Sequence, residues 1–147
     1  MTQEDKELLL QDLCARLPYG VIGAVEHYDE VDGSPANLLG TLQGFDNNSK
    51  GIKFVYLPEY SDDAGAYNWF SYIRFKPYLR PMSSMTVEEK NEYYKTFRAE
   101  PYGSGIGFIY VESAESFDWL NKKMFDYRGL IPKDLAISTK VFNPYKN

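Results

Sequence analysis

One cysteine and one histidine are all that 147 residues hold of the two side chains most used in nucleophilic and metal chemistry. A lone Cys14 excludes an internal disulfide and any multi-cysteine zinc site. A lone His27 is the single candidate for every Ser–His or Cys–His system. It falls in a strand-like segment, and nothing in the sequence pairs it with Cys14 or a serine. One histidine with scattered carboxylates supports weak, oxygen-rich metal sites at most, and Asp29-Glu30-Val31-Asp32-Gly33 lacks the ligand spacing of a calcium loop. No metal or cofactor is expected. Long apolar runs are missing too, and the N-terminal Met-Thr-Gln-Glu-Asp-Lys lacks the basic-then-apolar order of a signal peptide, so a soluble cytoplasmic protein with no membrane partner is expected. Positive charge is in deficit. Sixteen Lys and Arg against 21 Asp and Glu leave a net charge of −5, which opposes a general phosphate-binding surface but leaves room for a local basic patch.

Aromatic residues, in contrast, are abundant: 13 Tyr, 9 Phe and 2 Trp, or 16% of the chain. Tyrosine combines apolar area with a polar tip, so it suits half-buried sheet faces and binding surfaces alike. The length fits one domain able to bury a sizeable core.

Residues 2–17 have the spacing of an amphipathic helix, capped by Thr2 with Asp5 three residues on. Leu10, Leu13, Cys14 and Leu17 form its apolar stripe, which places Cys14 in the core as an inert thiol. Leu17-Pro18-Tyr19-Gly20 ends the helix. A β unit is expected over about 21–75. Its strands lie near 21–28, 37–45, 51–57 and 68–75, with the turn-rich 46–51 joining the second and third as a hairpin. Gly40 and Gly44 inside the second strand predict a bend or bulge. Four short strands at this spacing suggest a curled antiparallel sheet or partly open barrel.

Lys76 and Arg80 each precede a proline, so the Phe75–Lys90 stretch begins as an extended crossing. Thr86-Val87-Glu88-Glu89 is a capping box for a helix running to about Ala99, with Val87, Tyr94 and Phe97 near one face. A turn over 101–105 leads to a short strand over 106–111. A last helix should begin near Ser113 and bury Phe117, Leu120 and Met124. Gly129 is its expected C′ residue, with Leu130 packing on Phe125. Residues 135–137 can add an edge strand, and 138–147 should fray. The fold class is therefore α+β: a small sheet of about four to six strands, packed by N-terminal, central and C-terminal helices.

Carboxylate pairs offer little chemistry. Glu88 and Glu89 complement the dipole at a helix start, and Asp62-Asp63 lies in a Gly-containing loop where solvated acids are ordinary. Gly103-Ser104-Gly105-Ile106-Gly107 lacks the Lys-Ser/Thr of a phosphate loop and follows a helix instead of a strand. The strongest candidate surface is the basic–aromatic segment Tyr72–Arg80, extended by two methionines: Arg74, Lys76, Tyr78, Arg80, Met82 and Met85. Interleaved rings and cations can form a protein hot spot, or stack bases and neutralise phosphates.

Three blocks, Leu13-Cys-Ala-Arg-Leu-Pro-Tyr-Gly-Val21, Lys76-Pro-Tyr-Leu-Arg-Pro-Met-Ser-Ser-Met-Thr86 and Phe125-Asp-Tyr-Arg-Gly-Leu-Ile131, closely resemble a family of uncharacterised proteins. That family is abundant in gut Bacteroidetes-type genomes, often in phage or prophage regions. The resemblance implies context, not chemistry. Members often carry a His-His pair where this chain has Lys123-Met124, so any metal or catalytic role built on that pair would be lost here. The leading expectation is a non-enzymatic intracellular protein-interaction module, phage- or prophage-encoded. Its rival is a single-stranded nucleic-acid binder using the 72–80 segment, and a small hydrolase with an unfamiliar carboxylate site is the third reading.

Overall fold

A computed structural model describes residues 1–28, 32–46, 48, 51–60, 65–105 and 107–146. The expected Asp62-Asp63 pair and the Asp29-Glu30 end of the acidic loop lie outside the described residues. In chain order the elements are α1 (Gln3–Arg16), β1 (Ile22–Tyr28), β2 (Pro35–Asp46), β3 (Gly51–Tyr56), β4 (Tyr67–Ser71), β5 (Phe75–Leu79), α2 (Val87–Lys95), β6 (Arg98–Tyr102), β7 (Gly107–Val111), α3 (Ala114–Lys122) and β8 (Ile137–Ser138). The fold is α+β. Six strands form an open sheet in the order β4-β3-β2-β1-β5-β8, while β6 and β7 make a separate two-stranded ribbon.

The start of α1 follows from its sequence. The Thr2 hydroxyl accepts the Asp5 N–H, and the Asp5 carboxylate accepts the Thr2 N–H, at 3.1 and 3.0 Å. Its buried face corrects the expected stripe by one residue. Leu9, Asp12, Leu13 and Arg16 are buried, Leu10 is half-buried, and Cys14 faces solvent. Apolar spacing alone could not find this face, because it carries an ion pair. Arg16 Nε lies 2.8 Å from Asp12 Oδ2, one helical turn away, and both side chains are fully buried. The chain leaves α1 through a 3-10 turn at Leu17–Tyr19, and Gly20 takes the left-handed conformation there.

The sheet is antiparallel from β4 through β5, and parallel only where β5 meets β8. The expected bulge is present: register shifts between Leu42 and Gly44 of β2. Gly23 and Gly40 pair directly across β1 and β2. A Cβ on Gly23 would sit 2.3 Å from the Phe75 ring, and one on Gly40 would sit 2.5 Å from the Phe54 ring. Those two rings meet edge-to-face at 6.0 Å. The glycine pair therefore opens the slot that the aromatic centre of the core occupies. Leu9, Leu13, Val25, Leu42, Ile52, Phe54, Phe75 and Leu79 complete that core between α1 and one sheet face.

The expected hairpin of β2 and β3 is present, and three other expectations are corrected. Phe75–Leu79 is an inner strand, not a crossing. Pro77 is tolerated because it pairs with Gly23 on one side, while pairing to β8 on the other begins only at Tyr78. The fourth strand ends at Ser71, and a 3-10 turn over Tyr72–Arg74 separates it from β5. Helix α2 stops at Lys95 and not near Ala99. The Thr96 hydroxyl bonds back to the Tyr93 carbonyl, and Arg98–Tyr102 turns into the ribbon. Tyr93 is its buried residue, while Val87 and Tyr94 are exposed.

Helix α3 starts at the Ser113 cap as expected and buries Leu120; Met124, just past its end, is also buried, and Phe117 is exposed. It ends earlier than Gly129. Met124 itself takes the left-handed C′ position (φ 59°), with Met124 N–H bonded to Asn121 O and Phe125 N–H to Leu120 O at 3.1 and 2.9 Å. This is a Schellman closure, with Phe125 as its apolar C″ residue packed in one cluster with Leu120. The frayed tail is corrected as well. The Tyr145 hydroxyl accepts the Ile22 N–H at 3.0 Å and points at the Tyr78 and Ile22 carbonyls, 3.0 and 3.2 Å away. The tail is thereby strapped over the second sheet face, where Ala24, Leu39 and Tyr78 are buried. Among the described residues no helix is long and apolar enough to cross a membrane.

Candidate functional site

The three sequence blocks, far apart in the chain, meet at the junction of α1, β5 and the end of α3. Arg16 from the first block holds Asp12 through two bonds, Nε to Oδ2 and NH2 to Oδ1, at 2.8 and 2.9 Å. It also donates to the carbonyls of Phe125 and Asn121, at 2.8 and 3.4 Å. Arg128 from the third block donates to the same Asp12 carboxylate at 3.0 Å. Asp126 takes the Leu130 and Ile131 N–H groups, one on each oxygen, at 2.7 and 2.8 Å. That grip forms the turn after Gly129, whose φ of +73° needs glycine.

Arg80 joins the second block to the third. Its N–H donates to Met124 O and its carbonyl accepts the Asp126 N–H, at 2.7 and 2.8 Å, bracketing Phe125. Its guanidinium lies 4.2 Å over the Phe125 ring and forms two parallel bonds to Glu89, at 2.7 and 2.8 Å. These Arg80 bonds, with the Thr86 N–H behind them, outweigh burial and hold the Glu89 carboxyl down at about 2. The blocks are thus largely a fastening system.

The six candidate residues do not share one surface. Arg74 donates to the Glu26 carbonyl and lies over Phe70. Lys76 pairs with Asp134 at 2.9 Å. Tyr78 is buried beneath the tail at 8% exposure, and Met85 is buried at 9% in the α2–α3 cluster. Arg80 is engaged as described, and Met82 is exposed. His27 is half-buried on β1 opposite Ala36. Among the described residues no three His, Cys, Asp or Glu side chains gather where a metal could be held.

Two surfaces stand out instead. The first is the β6–β7 ribbon. Its register pairs Ala99 with Tyr110 and Pro101 with Phe108, so these four side chains share one face, while Arg98 and Glu100 lie on the other, paired with each other. Phe108 and Tyr110 are 70% and 72% exposed. The ribbon's foot is held firmly: the Ser113 hydroxyl donates to Thr96 O at 2.8 Å, and the buried Ser116 hydroxyl lies 2.8 Å from that of Thr96. Tyr93 also donates to Glu112, and burial with this bond pushes the Tyr93 phenol up. The strand expected over 106–111 is present as β7, but its partner β6 occupies Arg98–Tyr102, where the sequence predicts the end of a helix and a turn, so the ribbon as a pair is not foreseen.

The second surface is a groove of about 660 Å³ between the end of α3 and the strapped tail, with Arg80, Thr86, Lys122, Lys123, Thr139, Lys140, Asn143 and Lys146 in its lining. No family model, no curated protein and no solved structure matches the chain.

Proposed function

We propose that this chain is a non-enzymatic intracellular protein-interaction module whose contact surface is the β6–β7 ribbon. The segregation of charge on the ribbon carries the reading. One face holds Ala99, Pro101, Phe108 and Tyr110 with no charged side chain, and both charged residues lie on the opposite face. An isolated two-stranded ribbon is marginal in water, and a contiguous exposed aromatic patch on a rigid base marks an interface more than a core. Burying a Phe or Tyr ring contributes about 1.5–3 kcal/mol each, which suits two rings to be the hot spot of a small interface. The partner is a protein with a complementary apolar surface. The phage or prophage setting carried by the three blocks belongs to the same proposal.

A photo-crosslinking residue at Phe108 tests it in cell lysate, against the same residue at the exposed Glu4 on α1. The reading expects one dominant adduct from position 108 and none of that mass from position 4. Equal labelling from both positions would reject it. The nucleic-acid reading finds less support, since Lys76 and Arg80 are neutralised by Asp134 and Glu89 and Tyr78 is buried.

A further inference from the structure

The groove beside the tail has a chemistry that the ribbon does not use. Four lysines, Lys122, Lys123, Lys140 and Lys146, line it together with Arg80, and among the described residues no carboxylate does. That concentration occurs in a chain whose net charge is −5. Lys123 is loosely paired with Glu92 at 3.5 Å and Arg80 is held by Glu89, but among the described residues Lys122, Lys140 and Lys146 form no ion pair.

The hydrogen-bonding inventory points the same way. Thr86 Oγ1 accepts the Glu89 N–H, which leaves its own proton to donate. Asn143 Oδ1 accepts the Tyr145 N–H, leaving its amide NH2 for a ligand. The Thr139 hydroxyl adds a third donor at the wall. The Tyr19 hydroxyl donates to Asp118, and Tyr145 is occupied at Ile22 and Tyr78. What the groove offers a ligand is therefore donors and positive charge. Its volume of about 660 Å³ lies within the range of small-molecule sites.

We propose that this groove binds a small anion carrying two or more linked phosphates, either a free condensed phosphate or the phosphate chain of a nucleotide. One carboxylate would satisfy one lysine and leave the others repelling each other. A di- or triphosphate chain carries several negative charges and many acceptor oxygens on one small ligand, so it can meet more than one lysine and the free donors at once. One wall is the tail itself, so an occupied groove would also tighten the strap from Thr139 to Lys146.

Titration calorimetry at low ionic strength tests this with tripolyphosphate, ATP and a ten-nucleotide single-stranded DNA lacking a terminal phosphate. The expected result is saturable one-to-one binding of tripolyphosphate, weakened by added salt. The exposed double variant Lys122→Ala, Lys140→Ala should weaken it about ten-fold or more. Lys95→Ala, on α2 outside the groove, should leave it unchanged. ATP binding more tightly than tripolyphosphate assigns a nucleotide, and equal binding assigns the phosphate chain alone. No saturable binding of either, an unchanged affinity in a double variant of native thermal midpoint, or binding confined to the oligonucleotide would overturn the proposal.

Discussion

Removing Asp12 is the sharpest perturbation of the fastening system. In Asp12→Ala, Arg16 stays fully buried and keeps no anion, only the Phe125 and Asn121 carbonyls, at 2.8 and 3.4 Å, and the Tyr127 ring at 5.8 Å. Arg128 loses the same partner, leaving two guanidinium groups close together with no anion between them. Stranding a buried charge in this way costs about 3–5 kcal/mol, whereas replacing the whole pair by apolar residues is often nearly neutral. Against a typical domain stability of about 5–15 kcal/mol the loss is severe, and it should lower the melting point by roughly 10 °C. Urea denaturation followed by tryptophan fluorescence is a direct assay, because the Trp119 ring stacks on Phe125 at 5.8 Å, next to the carbonyl that Arg16 holds. Asp12→Leu combined with Arg16→Met should recover more than half of the loss. A cost below about 1 kcal/mol for Asp12→Ala would refute the reasoning, since it would mean that Arg16 is solvated. So would a double variant as unstable as the single one.

Tyr145→Phe removes the hydroxyl that straps the tail to Ile22 and Tyr78. It should destabilise the fold by about 1–3 kcal/mol and speed tryptic cleavage at Lys140, while unchanged cleavage would show the tail held by other means. Glu89 sets an acid limit. Its carboxyl lies near 2 when folded against an unfolded value near 4.5, so its stabilising effect is complete above about 4.5 and fades as pH falls towards 2. Glu89→Gln should therefore flatten the stability profile in that window, and a profile parallel to the parent's would contradict the assignment.

Local chemistry was legible in the sequence. Capping at Thr2 and Thr86, the start of α3 near Ser113, the β2–β3 hairpin and the bulge near Gly44 all follow from residues within a few positions of one another. Long-range pairing was not. The buried face of α1 reads as polar because Asp12 and Arg16 become core residues only when satisfied by each other and by carbonyls more than 100 residues away. Pro77 hid an inner strand, because only the strand pairing shows that its missing N–H lies where no partner needs it. Met124 took the left-handed position that Gly129 was expected to fill, for the Schellman bonds fix the helix end at Asn121 and Leu120. The distinctive blocks were good guides to the architecture. They were poor guides to the exposed surface, which lies in the less distinctive stretch from Arg98 to Val111.

The proposed interface is tested most directly by the affinity of the partner crosslinked through Phe108, measured for the parent chain and for Phe108→Ser, Tyr110→Ser. Both rings are solvent-exposed, so the variant should keep the parent's melting point. If they form the hot spot, each contributes at least about 2 kcal/mol, and the double variant should bind about a thousand-fold more weakly. A folded double variant that binds within about three-fold of the parent would contradict the account.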